Sequence, residues 1–179
     1  MRIIGGKYRG RRINPPANFK ARPTTDFAKE ALFSVLHNTF NIENLDVLDL
    51  FSGTGSISYE FCSRNVKSLV AVESNFQNSL FIDKQFKALG FDQATIIKSD
   101  VFRYLNTCKL KFDVVFADPP YSHENIEEIY YSVFRNNLLS ETSIFVIEHS
   151  SQNDFSQFPH FYKLKKYGSV HFSFFDIDL

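Results

Sequence analysis

Four carboxylates in this sequence could act together: Asp49, Glu73, Asp100 and Asp118 each stand where an apolar run of strand character gives way to a turn. One such residue means little, but four at the same edge of a sheet point to a shared site. Asp118 is the most informative. It follows Phe112-Asp113-Val114-Val115-Phe116-Ala117 and precedes Pro119-Pro120-Tyr121. Proline disfavours the helical region for the residue before it, so Asp118 should stay extended and project from the strand's end. The two rings fix φ and remove two backbone donors, leaving carbonyl oxygens free to accept. Tyr121 adds a flat face. Such a group would hold a planar ring bearing an NH2, which is what a nucleobase with an exocyclic amine presents. The competing reading is a Pro-Pro pair that merely ends a strand.

Asp49-Leu50-Phe51-Ser52-Gly53-Thr54-Gly55 is a Gly-rich strand-to-helix turn. Gly53 and Gly55 permit positive φ and close approach to a ligand. The turn lacks the third glycine of the dinucleotide fingerprint and the Gly-Lys-Ser/Thr of a phosphate loop. Asp49 would also repel a pyrophosphate, whereas an ammonium or sulfonium would be welcome beside it. Glu73, 24 residues later, is placed to accept both hydroxyls of a ribose; its plain alternative is a solvated strand-end charge. Asp100 could accept the amino group of an adenine, with Val101 and Phe51 against the ring's faces. Cation, ribose and adenine together describe S-adenosylmethionine.

The elements that must position these residues alternate. A helix capped by Thr25 or Asp26 should run to about residue 39, with Phe27, Ala31 and Val35 beside Ala28, Leu32 and Leu36 on its apolar face. Strands follow at 46–51, 68–72, 94–98, 112–117 and 143–147. Helices are expected after the glycine turn through Ser63, at about 75–89, up to about 107, and at about 125–136. Repeated strand–helix–strand units imply a parallel sheet covered on both faces. The end differs: 161–167 and 170–175 are separated only by Gly168-Ser169, a tight hairpin that needs antiparallel pairing. That end is unlike most dinucleotide dehydrogenases. The start, residues 1–24, reads as a basic hairpin arm around Gly5-Gly6-Lys7-Tyr8-Arg9-Gly10, with Tyr8 exposed, and then a linker containing Pro15, Pro16 and Pro23. Arg22-Pro23-Thr24-Thr25 brings a guanidinium and two hydroxyls to a helix N-terminus, either an anion site or ordinary capping.

At 179 residues the chain fits one domain. Its net charge is zero, yet residues 1–30 hold eight basic side chains (Arg2, Lys7, Arg9, Arg11, Arg12, Lys20, Arg22, Lys29) against Asp26 and Glu30. A basic arm on an acidic body suggests a polyanion contacted at one end. No apolar run approaches the length of a membrane span, and a cytoplasmic location is expected. Cys62 and Cys108 are isolated and the five histidines have no ligand spacing, so no metal is expected. All five histidines are read as structural or surface residues, and His123, close after Tyr121, is the one that could touch a substrate. The 21 phenylalanines and absent tryptophan carry no functional reading.

These segments resemble a class I S-adenosylmethionine-dependent methyltransferase, in which Asp/Asn-Pro-Pro-aromatic after the fourth strand belongs to enzymes that methylate exocyclic or amide nitrogens. Arg2-Ile3-Ile4-Gly5-Gly6 with Tyr8-Arg9-Gly10-Arg11, then Arg22-Pro23-Thr24-Thr25-Asp26 with Glu30 and Leu32-Phe33, resemble the RsmD-type small-subunit rRNA guanine-N2 methyltransferases over essentially the whole chain. The resemblance implies a Rossmann-like α/β fold with a mostly parallel seven-stranded sheet. It implies S-adenosylmethionine held by Thr24, Asp49, Phe51, Gly53, Gly55, Glu73, Asp100 and Val101. Catalysis would fall to Asp118, Pro119, Pro120 and Tyr121: Asp118 and the Pro119 carbonyl would each accept an N–H, with Tyr121 stacked on a flipped base. Arg2, Lys7, Arg9, Arg11, Arg12 and Arg22 would hold 16S rRNA, free or within the small ribosomal subunit particle, and a monomer is expected. Asp118 is expected to shape the nitrogen as an acceptor more than to strip its proton. The chain departs from the family at Ser56-Ile57-Ser58, where small residues and another glycine are usual; altered packing is expected there. No appended RNA-binding domain is expected, which leaves recognition to the arm. An adenine-N6 methyltransferase would use the same four residues, and a catalytically silent S-adenosylmethionine- or RNA-binding module is the rival of a different class.

Overall fold

A computed structural model describes residues 1–16, 24–120 and 125–177 of the chain. Its centre is a sheet of β1 (Asp46–Leu50), β2 (Ser68–Glu73), β3 (Ala94–Lys98), β4 (Phe112–Ala117), β5 (Leu139–His149), β6 (Phe161–Tyr167) and β7 (Val170–Asp176). The order across the sheet is β3-β2-β1-β4-β5-β7-β6. The first five strands are parallel, and β7 runs antiparallel between β5 and β6. Strand order reverses between β1 and β4, the point where sheets of this kind place a ligand. The mostly parallel sheet with an antiparallel C-terminal hairpin is the architecture expected from the sequence. The largest difference is at β5, which begins at Leu139 instead of 143. Leu139 pairs with Phe112 across a register shift, and the Ser140 hydroxyl bonds Asp113 at 2.6 Å. Ser140-Glu141-Thr142 carries no apolar alternation, so this extension left no trace in the pattern.

The helices are α1 (Asp26–Thr39), α2 (Ser56–Ser63), α3 (Phe76–Leu89), α4 (Val101–Thr107) and α5 (Ile126–Arg135). Alternate strand residues point to opposite faces. Val47 and Phe116 pack with Leu32, Phe61 and Ile82 under α1–α3, whereas Leu48 and Val115 pack with Leu105 and Ile129 under α4 and α5. Aromatic rings fill the second face: the Tyr130 ring meets those of Phe134, Phe145, Phe158 and Phe175.

Helix α1 corrects one expectation. Phe27, assigned to the apolar stripe, is 65% exposed, while Lys29 is buried. Lys29 reaches Glu60 on α2 at 3.0 Å and also donates to the Arg2 carbonyl. Glu60, fully buried, further accepts from Arg64 and from the Ile4 amide. An interior carboxylate requires partners of this kind, and here they tie the N-terminal arm to the body. The arm is a small hairpin bridged at Arg2 and Arg12, with Ile3 and Ile13 buried. Its glycines do more than turn. Gly6 has φ +73°, and a Cβ there would lie 1.9 Å from the Ser63 carbonyl oxygen. The amides of Lys7 and Tyr8 both bond Ser63, at 2.7 and 3.0 Å. Tyr8, expected to be exposed, is half-buried instead: its hydroxyl donates to the Leu89 carbonyl at 2.6 Å and its ring meets the edge of Phe91.

Candidate active site

The carboxyl ends of β1, β2 and β4 open into a cavity of about 410 Å³. Its lining includes Thr24, Asp49, Phe51, Gly53, Glu73, Asp118, Pro119 and Pro120, all singled out from the sequence. Gly55 stands at its edge as the left-handed N-cap of α2, φ +83°. Phe51 also adopts a positive φ, 58°, costly for a residue with a side chain, and so the turn after β1 is strained at the cavity wall. Asp100 and Val101 are not among the residues lining the cavity. Asp100 is exposed and caps α4 by accepting from the Arg103 amide at 3.0 Å, and Val101 is buried on the opposite face of the sheet. The wall runs through Ser74 and Asn78 instead. Tyr121, His123 and Arg22 lie outside the described residues.

Asp49 is 1% exposed and accepts a hydrogen bond from the Ser58 hydroxyl. Burial, with the neighbouring charge of Asp118, pushes its carboxyl up to about 7 despite that bond. Ser58 thus does more than alter packing. Glu73 accepts from the Gly53 and Asn75 amides, at 2.8 and 2.7 Å, which fixes its carboxylate and leaves each oxygen a further lone pair. The Asp118 carboxyl is held well above the usual carboxylate range by burial and then by the charge on Glu148. Glu148 was missed in the sequence. It lies on β5, lines the same cavity and is 4% exposed. Ile144 to Ile147 ending in Glu148 is the same strand-to-carboxylate signal that marked the other four, and would have found it.

The cavity is acidic: Asp49, Glu73, Asp118 and Glu148 line it, and among the described residues no Lys, Arg or His does. It therefore favours a cation and repels phosphate. The donor set also fits a zwitterionic head. Ser56 at the start of α2 lines the cavity with a buried hydroxyl that has no hydrogen-bond partner among the described residues, and a helix N-terminus beside it favours a carboxylate.

The basic arm reaches the cavity rim, where Thr54 bonds the Met1 sulfur at 3.5 Å and Arg2 pairs with Asp26 at 2.9 Å. Arg2, Lys7, Arg9, Arg11 and Arg12 are all exposed. No helix among the described residues is long and apolar enough to cross a membrane.

A family model described as Conserved hypothetical protein 95 matches residues 1–176. The chain is 30% identical over 149 residues to a ribosomal RNA small subunit methyltransferase D of Buchnera aphidicola, covering 83% of this chain and 75% of that one. A solved structure of a hypothetical protein from Thermus thermophilus superposes with a TM-score of 0.86 at 24% identity, covering 98% of both chains. The fold also matches a Thermus thermophilus 16S rRNA N2 G1207 methyltransferase, RsmC, solved with AdoMet and guanosine: TM-score 0.69 at 19% identity, over 86% of this chain and 43% of that one.

Proposed function

We infer function from kinship first: the chain belongs to the RsmD family, the Conserved hypothetical protein 95 family, with relatives named ribosomal RNA small subunit methyltransferase D. We propose that it transfers a methyl group from S-adenosylmethionine to the exocyclic N2 of a guanine in small-subunit ribosomal RNA. The observation that carries this reading is the acidic cavity at the switch point, lined by Asp118-Pro119-Pro120 together with Asp49 and Glu73. The fold shared with an RsmC enzyme holding AdoMet and guanosine supports the same assignment.

S-adenosylmethionine supplies an electrophilic methyl group on a cationic sulfur. Asp49 would offset positive charge at the head of the ligand, Ser56 would meet its carboxylate, and Glu73 would accept from its ribose. Ser74 and Asn78 would lie along its adenine end. Asp118 and the Pro119 carbonyl would hold the two hydrogens of the target amine. A guanine amine is a poor nucleophile because its lone pair is delocalised into the ring. Two acceptors favour a tetrahedral nitrogen, and positioning the reactants in line contributes much of the acceleration. They also stabilise positive charge as it develops on nitrogen. The raised proton affinity of Asp118 sharpens its role. Beyond shaping the nitrogen, it is suited to receive the proton released once that charge has formed. The exposed arginines of the arm hold phosphate. The test is transfer of tritiated methyl from S-adenosylmethionine onto small-subunit particles lacking the modification, followed by nucleoside analysis. N2-methylguanosine is expected, and N6-methyladenosine or no transfer would refute the reading.

A further inference from the structure

Glu148, a further carboxylate that follows an apolar strand run, stands beside Asp118 in the cavity. The last matched pair between β4 and β5 is Ala117 with Ile147, so Asp118 and Glu148 follow side by side at the end of neighbouring strands. Both line the cavity, and Glu148 is almost wholly enclosed, with Phe116 and Val170 also on the lining. On its other side β5 pairs Glu148 with Phe172 of β7, so the antiparallel return that distinguishes this sheet braces the position. A second buried carboxylate beside the first is costly by self-repulsion, visible in the raised proton affinity of Asp118. Attraction to the ligand's cation does not account for it either, because Asp49 and Glu73 already line the cavity.

A pair of acceptors answers a pair of donors. The Watson–Crick edge of guanine offers an N1–H directly beside the N2 amine, whereas adenine offers a bare N1 acceptor beside its N6 amine. We propose that Glu148 makes the site select guanine over adenine, accepting the ring N1–H while Asp118 and the Pro119 carbonyl accept the amine hydrogens. This rests on the guanine-N2 reading above. An adenine in the same pose would set its N1 lone pair against a buried carboxylate, and no Lys, Arg or His among the described lining residues could relieve that contact.

The test compares two small-subunit particles, one with the mapped target guanine and one with 2-aminopurine in its place. The analogue keeps the N2 amine but presents N1 as an acceptor. Sites built around a substrate donor reject analogues lacking it by roughly 10⁴-fold or more, so wild type should favour guanine by about 10³-fold at least in kcat/KM. In Glu148→Gln an amide can turn its NH2 toward N1, and the preference should collapse to within about tenfold in a variant that still binds S-adenosylmethionine. A Glu148→Gln protein that binds S-adenosylmethionine yet keeps the wild-type preference overturns the inference. Wild type that accepts 2-aminopurine as well as guanine overturns it without any variant. Absence of N2-methylguanosine with wild type and natural particles refutes the underlying assignment instead, so the two failures are separable.

Discussion

Asp49 should make cofactor binding depend on pH, because a residue that must face a cation holds a proton at mildly acidic pH. In the folded chain its carboxyl titrates at about 7, against about 3.9 when unfolded. Its contribution to stability is fully present below about pH 4 and is lost as pH rises through about 7. The difference of about three pH units sets an upper bound near 4 kcal/mol. A cationic ligand prefers the ionised form, so binding below pH 7 must release the proton. Apparent affinity should then rise about tenfold per pH unit well below pH 7 and less steeply near it, about 50-fold (~2.3 kcal/mol) in all between about pH 5 and 7. Calorimetric titration of S-adenosylmethionine over this range, in buffers of different ionisation enthalpy, measures both quantities. Working below about pH 7.5 keeps the ligand's own amine protonated. Near pH 5.5 about one proton should be released per ligand bound, falling to about half a proton at pH 7. Asp49→Asn should bind more weakly, lose the pH dependence, and unfold at a higher temperature than wild type near pH 8. Flat affinity with no proton release in wild type would refute the reasoning.

Asp118→Ala should keep S-adenosylmethionine affinity while turnover falls by about 10²–10³-fold; unchanged methylation would remove Asp118 from the chemistry. Charge reversal at Arg9 and Arg11 should weaken RNA binding and flatten its salt dependence. An equal drop in cofactor affinity would make those side chains part of the folding of the arm. Gly6→Ala places a methyl group 1.9 Å from the Ser63 carbonyl oxygen at φ +73°, and should destabilise the chain by at least about 2 kcal/mol in denaturant unfolding. A change under ~0.5 kcal/mol would mean the arm docks more loosely than described.

Much of this was legible in the sequence because parallel strands buried on both faces read as apolar runs, and their ends carry the chemistry. Asp49, Glu73 and Asp118 were found in this way, and the structure brings them to one cavity. Local pattern failed where the partner was distant. Lys29 looked like one more charge on the arm, and only its contact with Glu60, 31 residues away, shows why a lysine is buried there. Gly5-Gly6 read as a bend, whereas space against Ser63 and Arg64 is what excludes a side chain. Ser58 read as packing until the fold set its hydroxyl against Asp49. Asp100 fulfilled the strand-end rule but spends one carboxylate oxygen on its own helix. Glu148 obeyed the rule unnoticed, since only strand order puts β5 beside β4.

The acidity of the cavity also bears on how long the protein lasts. With Asp49, Glu73, Asp118 and Glu148 around one space, the chain without its cation carries like-charge repulsion at the switch point of its sheet. A ligand present at 100 times its Kd adds about 2.7 kcal/mol to folding stability, a large fraction of what a domain of this size holds in reserve. Resistance to proteolysis should therefore track the supply of methyl donor: a starved cell would clear this chain faster than a replete one, matching the abundance of the catalyst to the metabolic means of using it.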